Sequence, residues 1–535
     1  MMKKYLYILS VAALGLTACN SDYLDTTPQN AEDTSVMIES AENAELVING
    51  MCKAMSTQYC GSQGWNGEGS IKTWYGNYPG ADFQKCNYAG YVDIFNQTYH
   101  LMKASIYDYF AWYYYYKQIA NANSIICNID NAKGTEEEKA YVKAEALTFR
   151  AYSFFQLSQI YCHRWSDEQG NTDGIILRVD QSTGDQGLST LADTYKQIYA
   201  DLDEAVALFQ KSGMDRGYNK LVDVREFYRP NLDVAYAIYA RVAATRQDWQ
   251  NAAKYAALAK ANYKLMSNDE YTSGFNTCND EWIWGVYEGS EQTIYYYAFF
   301  AYQGSNADTN AYRNYPNAIS KQLIDQIPET DIRRWLYLVP SDEELAECNA
   351  AGRASTVKKD GKTVNAQLYT RARSEYGDRM AAKSLVYAYM QFKLMCQYAN
   401  GGSFPLIRAA EMYYLEAEAD IHLGKDAEAQ ELLYQVTKDR DPEYQKSTKT
   451  GDDLMAEVKL YRRFDLWGEG YDWFDHKRWG DTIVRKTWAD GGSFLKAYVA
   501  TIGPNDGNQW TWVIPERETQ YNGAFKNNTT ASAEE

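Results

Sequence analysis

Three groups of residues in this chain have types and spacing suited to chemistry. The first is Leu16-Thr17-Ala18-Cys19, which closes an apolar stretch running from Tyr5 to Leu16 behind Lys3 and Lys4. A basic start, a short apolar run and small residues before a cysteine form the pattern of a bacterial lipoprotein signal. On that reading the chain is cut before Cys19, whose thiol then carries lipid, at roughly 0.8 kcal/mol per buried CH₂ of anchoring. The second group is Glu469, Asp475, Lys477 and Arg478, close enough in sequence to resemble an acid–base cluster. The third is aromatic: Trp65, Trp74, Tyr75, Tyr78, Tyr88 and Tyr91 in one stretch, and Tyr296, Tyr312, Arg313 and Tyr315 in another. A flat apolar face, a polar tip and little side-chain entropy to lose suit such rings to ligand contact.

The elements that must position these groups are mostly helical. Apolar residues recur at three-to-four spacing over 102–131, through Tyr107, Phe110, Tyr114, Ile119, Ala122 and Ile125. A second helix is expected over 136–161, with Glu136, Glu137 and Glu138 suiting the positive end of its dipole, and a third over about 191–211. Two hairpins then share one internal pattern. Ala240 and Ala252 flank the turn Arg246-Gln247-Asp248-Trp249, and Ala417 and Ala429 flank Leu423-Gly424-Lys425-Asp426, each alanine pair twelve residues apart. Small residues at a helix crossing allow close packing, the logic of tetratricopeptide pairs. Helical signals concentrate in 102–263 and 380–480.

Residues 59–100 and 270–318 are different. They are rich in Gly, Asn, Tyr and Trp and lack sustained periodicity, apart from Trp282-Ile283-Trp284-Gly285, which reads as a short buried strand. Aromatic loops on a helical scaffold are the usual home of binding sites. Residues 340–365 read as an exposed excursion. In the charged stretch, an amphipathic helix would bury Leu466, Trp467, Trp473, Phe474 and Trp479 and pair its charges around them, so the acid–base cluster is read as architecture.

Composition excludes several classes. The net charge of −18 becomes −20 once Lys3 and Lys4 leave with the signal, a field that repels nucleic acid and favours neutral ligands. Nine cysteines are scattered without C-x-x-C spacing, and four histidines form no H-E-x-x-H arrangement, so no metal site is expected. Cys52 and Cys60 are near enough to pair. The chain has no G-x-S-x-G elbow and no phosphate-binding glycine loop. A pair among 71 acids is too common to argue for a glycoside hydrolase. No cofactor and no catalysis are expected.

Spread along almost the whole length are motifs that resemble the SusD-like (RagB/SusD) outer-membrane lipoproteins of Bacteroidetes. Cys19-Asn20-Ser21-Asp22-Tyr23-Leu24-Asp25 resembles the opening of that family. Ala144-Glu145-Ala146 with Arg150-Ala151-Tyr152-Ser153-Phe154-Phe155 resembles one of its helices. Pro405 to Glu411 with Glu416-Ala417-Glu418-Ala419 resembles the helix of its last hairpin. The stretch from Arg462 to Gly480, RRFDLWGEGYDWFDHKRWG, resembles the signature RR.EL..EG.R.FDLKRWG, and Trp512 to Glu518 the closing PIP..E segment.

The resemblance implies a mainly α fold. Four tetratricopeptide-like helix pairs would form a scaffold, with a loop-rich region and a few short strands carrying the ligand site. It divides the chain into a signal (1–18), a lipidated tether (19–40) and a single domain (41–535). It implies a non-catalytic glycan-binding lipoprotein on the outer membrane, facing the cell exterior. Such a protein delivers oligosaccharide or polysaccharide to a SusC-like TonB-dependent transporter, over which it sits as a lid. Some members take peptides instead. The family has no ligand-site motif, so the aromatic residues named above rest on position and chemistry.

Overall fold

Helices form wherever the three-to-four apolar spacing runs long. The computed structural model describes residues 38–59, 65–214, 226–290, 298–350, 366–503 and 510–524. The long helices are α1 (Ala41–Ala54), α2 (Ile106–Asn128), α3 (Glu136–Tyr161), α4 (Leu191–Ser212), α5 (Leu232–Thr245) and α6 (Trp249–Lys260). After the loop-rich centre come α7 (Ala409–His422), α8 (Asp426–Thr437), α9 (Gly451–Asp465) and α10 (Asp472–Trp479). Local chemistry sets their ends. Ser105 caps α2, and Thr135 and Glu138 form a reciprocal capping box on α3. Gly213, at φ 61°, closes α4.

Successive helices pack on one another: α2 on α3, α3 on α4, α4 on α5, α5 on α6, α6 on α7, and α7 on both α8 and α9. Ala240, Ala252, Ala417 and Ala429 are fully buried, as the spacing predicts for residues at helix crossings. The two hairpins meet where Trp249 stacks on His422, ring centroids 3.9 Å apart. One continuous apolar core runs from Ile38 to Ile514, with a small satellite around Tyr141 and Phe209.

Strands are short and pair in twos. β1 (Gln58–Tyr59) pairs with β2 (Trp65–Asn66), and β3 (Phe83–Lys85) with β5 (Asn317–Ile319). β4 (Trp282–Val286) pairs with β6 (Phe404–Arg408), and β7 (Ile483–Arg485) with β8 (Ala500–Ile502), all antiparallel. The buried strand expected at Trp282 is β4. Its partner corrects one expectation: Pro405–Arg408 is strand, and the helix starts at Ala409. Pairing with β4 supplies a sheet edge that local sequence does not announce. Within the expected excursion, Asp342–Ala350 is helical and Glu344 is buried against Arg371 at 2.8 Å. Cys60 lies outside the described residues, and the buried Cys52 thiol donates to the Tyr228 carbonyl at 3.4 Å. No helix among the described residues is long and apolar enough to cross a membrane.

Candidate ligand-binding site

The β3–β5 ladder is the element that turns two distant aromatic loops into one site. Phe83 faces Ile319 and Lys85 faces Asn317, so the segment after Lys85 emerges beside the one before Asn317. The loops are then stitched. Lys85 Nζ donates to the Tyr315 carbonyl at 2.9 Å, Asn87 Nδ2 to the Asn314 carbonyl at 3.3 Å, and Tyr91 to the Tyr302 hydroxyl at 2.8 Å.

The cluster has a buried floor and an exposed rim. Trp74 sits 4.6 Å from Tyr91 and 5.1 Å from both Tyr78 and Tyr302, centroid to centroid, and is 1% exposed. Tyr75, Tyr78 and Tyr312 are fully buried. Against the expectation that these four rings meet ligand, none offers an open face in this conformation: other rings cover Trp74, Tyr75 and Tyr78, and Tyr312 is packed against Lys85 and Gln391. Trp74 and Tyr75 belong to the π-helical segment Ile71–Asn77, all of whose residues are buried. Lys85 is buried over the rings of Tyr78, Tyr302 and Tyr312 at 5.7–6.0 Å. Burial pushes its ammonium down to about 7.

The rim is what solvent reaches. Tyr88 is 54% exposed, and its ring lies 6.2 Å from that of Tyr498. The Tyr498 hydroxyl accepts from Ala89 N at 2.9 Å and donates to the Asn87 carbonyl at 3.2 Å, which fixes the loop beneath Tyr88. Tyr91, Arg313, Asn314 and Tyr315 are half-buried, and Asn96 and Asn310 are exposed. Arg313 pairs with Asp308 at 3.2 Å. Of the predicted residues, Tyr88, Tyr91, Arg313 and Tyr315 are thus gathered at one accessible edge. Tyr296 lies outside the described residues, as does Cys19, and Trp65 is placed only as part of β2.

The charged signature has the opposite character. It is not one amphipathic helix: α9 ends at Asp465, and the chain turns through Gly468 (φ 79°) and Gly470 (φ 89°) before α10 begins. A Cβ on Gly470 would stand 2.7 Å from Lys72 Cγ, so the turn needs glycine both for its φ and for this close approach. The charges lie inside rather than around the helix. Arg408 bridges Glu281, Asp465 (2.8 Å) and Glu469 (2.8 Å), and Lys393 joins Glu469 at 2.7 Å. Arg478 bridges Glu418 and Asp475, and Arg462 holds Asp475 at 2.7 Å. Burial opposes ionisation of Asp465, but the Arg408 and Arg333 guanidinium groups hold it below the usual carboxylate range. Glu281, Asp465, Glu469, Glu418 and Asp475 are each neutralised by a fixed cation, an arrangement that locks packing.

A model of the SusD family matches residues 247–532, more than half of the chain. The chain belongs to the SusD family. A second model, described as starch-binding associating with outer membrane, matches residues 22–244. The SusD-family fold is also seen in solved structures. A SusD-like carbohydrate binding protein from Bacteroides vulgatus is 20% identical, with 91% of this chain and 97% of that one covered at a TM-score of 0.73. A SusD superfamily protein from Bacteroides thetaiotaomicron is 20% identical over 91% and 99%, TM-score 0.69. Another from Bacteroides fragilis is 18% identical over 92% and 100%, TM-score 0.66. No curated protein matches. Within the SusD fold of this chain, sequence reading missed Asn87, Asn96 and Tyr498 as rim residues. The first two stand in the predicted loop, beside Tyr88 and one residue past Phe95, and polarity beside an aromatic would have flagged them. Nothing local marks Tyr498, which reaches the rim from the far end of the chain.

Proposed function

We propose that this protein captures neutral glycan at the rim formed by Tyr88, Tyr91, Arg313 and Tyr315, and that it is a binding protein rather than an enzyme. The observation that carries this reading is the joining of two separate aromatic loops by β3 and β5, with one tyrosine face left open beside asparagine and arginine. A stacking face plus amide and guanidinium donors suits the CH faces and hydroxyls of a sugar. The matching family model is one of starch-binding proteins and the solved relative from Bacteroides vulgatus is a carbohydrate binding protein, which supports the same ligand class.

The protein is held on the outer membrane through a lipidated Cys19, faces the exterior, and passes its ligand to a SusC-like TonB-dependent transporter. The lipoprotein pattern at Leu16–Cys19 supports the anchor, and the family resemblance supports the partner. Weak capture suits handover, because a slowly released ligand would stall import. Many copies along one polymer restore retention through avidity.

The test is affinity electrophoresis of residues 20–535 through native gels that each contain one polysaccharide, neutral or acidic, with Tyr88→Ala alongside. Retardation of the parent by a neutral polymer, reduced in the variant, supports the reading. Retardation by acidic polymers only overturns the charge argument. Equal retardation of parent and variant moves the site elsewhere. Binding of peptides but of no glycan in the panel makes the chain a peptide-capturing relative.

A further inference from the structure

Outside the rim, one side-chain cluster is built as a ligand set. Asp472 and His476 stand one turn apart on α10, with His476 Nε2 3.4 Å from Asp472 Oδ1. Asp82, the residue before β3, completes the group, and one ligand atom from each of the three lies within 4.8 Å of the others. His476 is 5% exposed, and neither ring nitrogen has a hydrogen-bond partner. A buried imidazole with both nitrogens unsatisfied is costly, and such a group calls for an explanation.

The carboxylates are positioned by the backbone. Asp472 accepts Ala81 N at 3.0 Å and Asp82 N at 2.7 Å. Gly80 makes room for it, since a Cβ there would fall 2.1 Å from the Asp472 carboxyl carbon. Each carboxylate oxygen keeps lone pairs beyond these bonds. Asp82 is held by Arg463 through two bonds of 2.7 Å, and Arg485, buried nearby, attracts Asp472. These two cations lower the net negative charge of the cluster. Charge alone would therefore not hold a hard cation, and three ligand groups fall short of the six to eight oxygens that calcium takes. An imidazole with two carboxylates instead matches the donor types of a four-coordinate, borderline-soft ion.

We infer that Asp82, Asp472 and His476 form a binding site for a divalent transition ion of the zinc type, which staples α10 to the segment entering β3. The pairing spans 390 residues of chain, so an ion there would join segments far apart in sequence. In the signature pattern given above, the positions of Asp472 and His476 carry Arg and Leu, so the ligand pair departs from that pattern. The strand that follows Asp82 leads into Tyr88, and a consequence for glycan affinity rests on the proposed function. The metal site itself does not.

The experiment is a zinc and cobalt(II) titration of untagged protein, residues 20–535, in the absence of any glycan. Elemental analysis after gel filtration is expected to find one zinc per chain. At zinc a hundredfold above its dissociation constant, Tm is expected to rise by about 3 °C. Cobalt(II) is expected to show the visible d–d bands of a four-coordinate site. His476→Leu and Asp472→Asn are expected to abolish all three signals. Should either variant unfold, the parent's stoichiometry and cobalt spectrum still decide. No stoichiometric metal in the parent overturns the site, and so does full metal binding in a folded His476→Leu variant. Loss of glycan retardation with intact zinc binding would sink the proposed function alone.

Discussion

The signature turn and the aromatic rim invert what their residue types suggest. Between Arg462 and Gly480 the chain carries acids, lysines and arginines at the density of an active site, yet those side chains are buried and paired with fixed partners. The rim is chemically plain, with tyrosines, asparagines and a single arginine, yet it is the part that meets solvent. Chemistry needs access and an unsatisfied group, and residue type reports neither. Burial sorts them: a desolvated charge must be paired, whereas an exposed ring at a loop edge is free to stack on something else.

The comparison can be broken most forcefully at its buried end. Arg408→Ala leaves Glu281, Asp465 and Glu469 short of their shared cation, and is expected to destabilise the protein by about 5 kcal/mol. Urea denaturation checks it, and an unchanged midpoint would mean the network is solvated. Trp74→Ala should cost about 3–4 kcal/mol by opening a cavity among packed rings. Because the ring is buried, this variant is expected to lower Tm rather than to act on binding alone. Gly470→Ala is expected to cost about 2 kcal/mol, from its positive φ and its contact with Lys72.

Smaller effects sharpen the contrast within the aromatic cluster itself. Lys85 is buried with no carboxylate paired to it among the described residues, and its folded pKa of about 7 lies below the value of a free lysine. The unfolded chain therefore binds the extra proton between about pH 7 and 10, so this group lets stability rise with pH across that window. Lys85→Met is expected to be more stable than the parent by about 1 kcal/mol at pH 7, with the gain fading toward pH 10. Thermal melts at both ends of the window measure it, and a pH-independent difference would remove Lys85 as its source. Tyr88→Ala is expected to leave stability within about 0.5 kcal/mol and to weaken glycan retention three- to tenfold, about 1 kcal/mol of lost stacking.

Much of the scaffold was legible from local pattern. The limits of α3 and α4, the alanine crossings of both hairpins and the strand at Trp282 follow from periodicity, caps and turn residues, because those signals act within a few residues. Pro405–Arg408 was not legible as strand, since its partner β4 lies more than a hundred residues earlier. Nor was the break at Gly468, whose role depends on the π-helical segment packed against it.

For the site, sequence alone determined composition: which loops are aromatic, that the chain is acidic, and that no nucleophile or cofactor motif is present. Only tertiary structure decided which tyrosines are floor and which are rim. Trp74 and Tyr88 share one loop-rich stretch and much the same chemistry, yet one is sealed and the other open. The difference is made by rings such as Tyr107 and Tyr302 that close over Trp74 from elsewhere in the chain, and the burial they impose is a property of the assembled fold rather than of any segment of it.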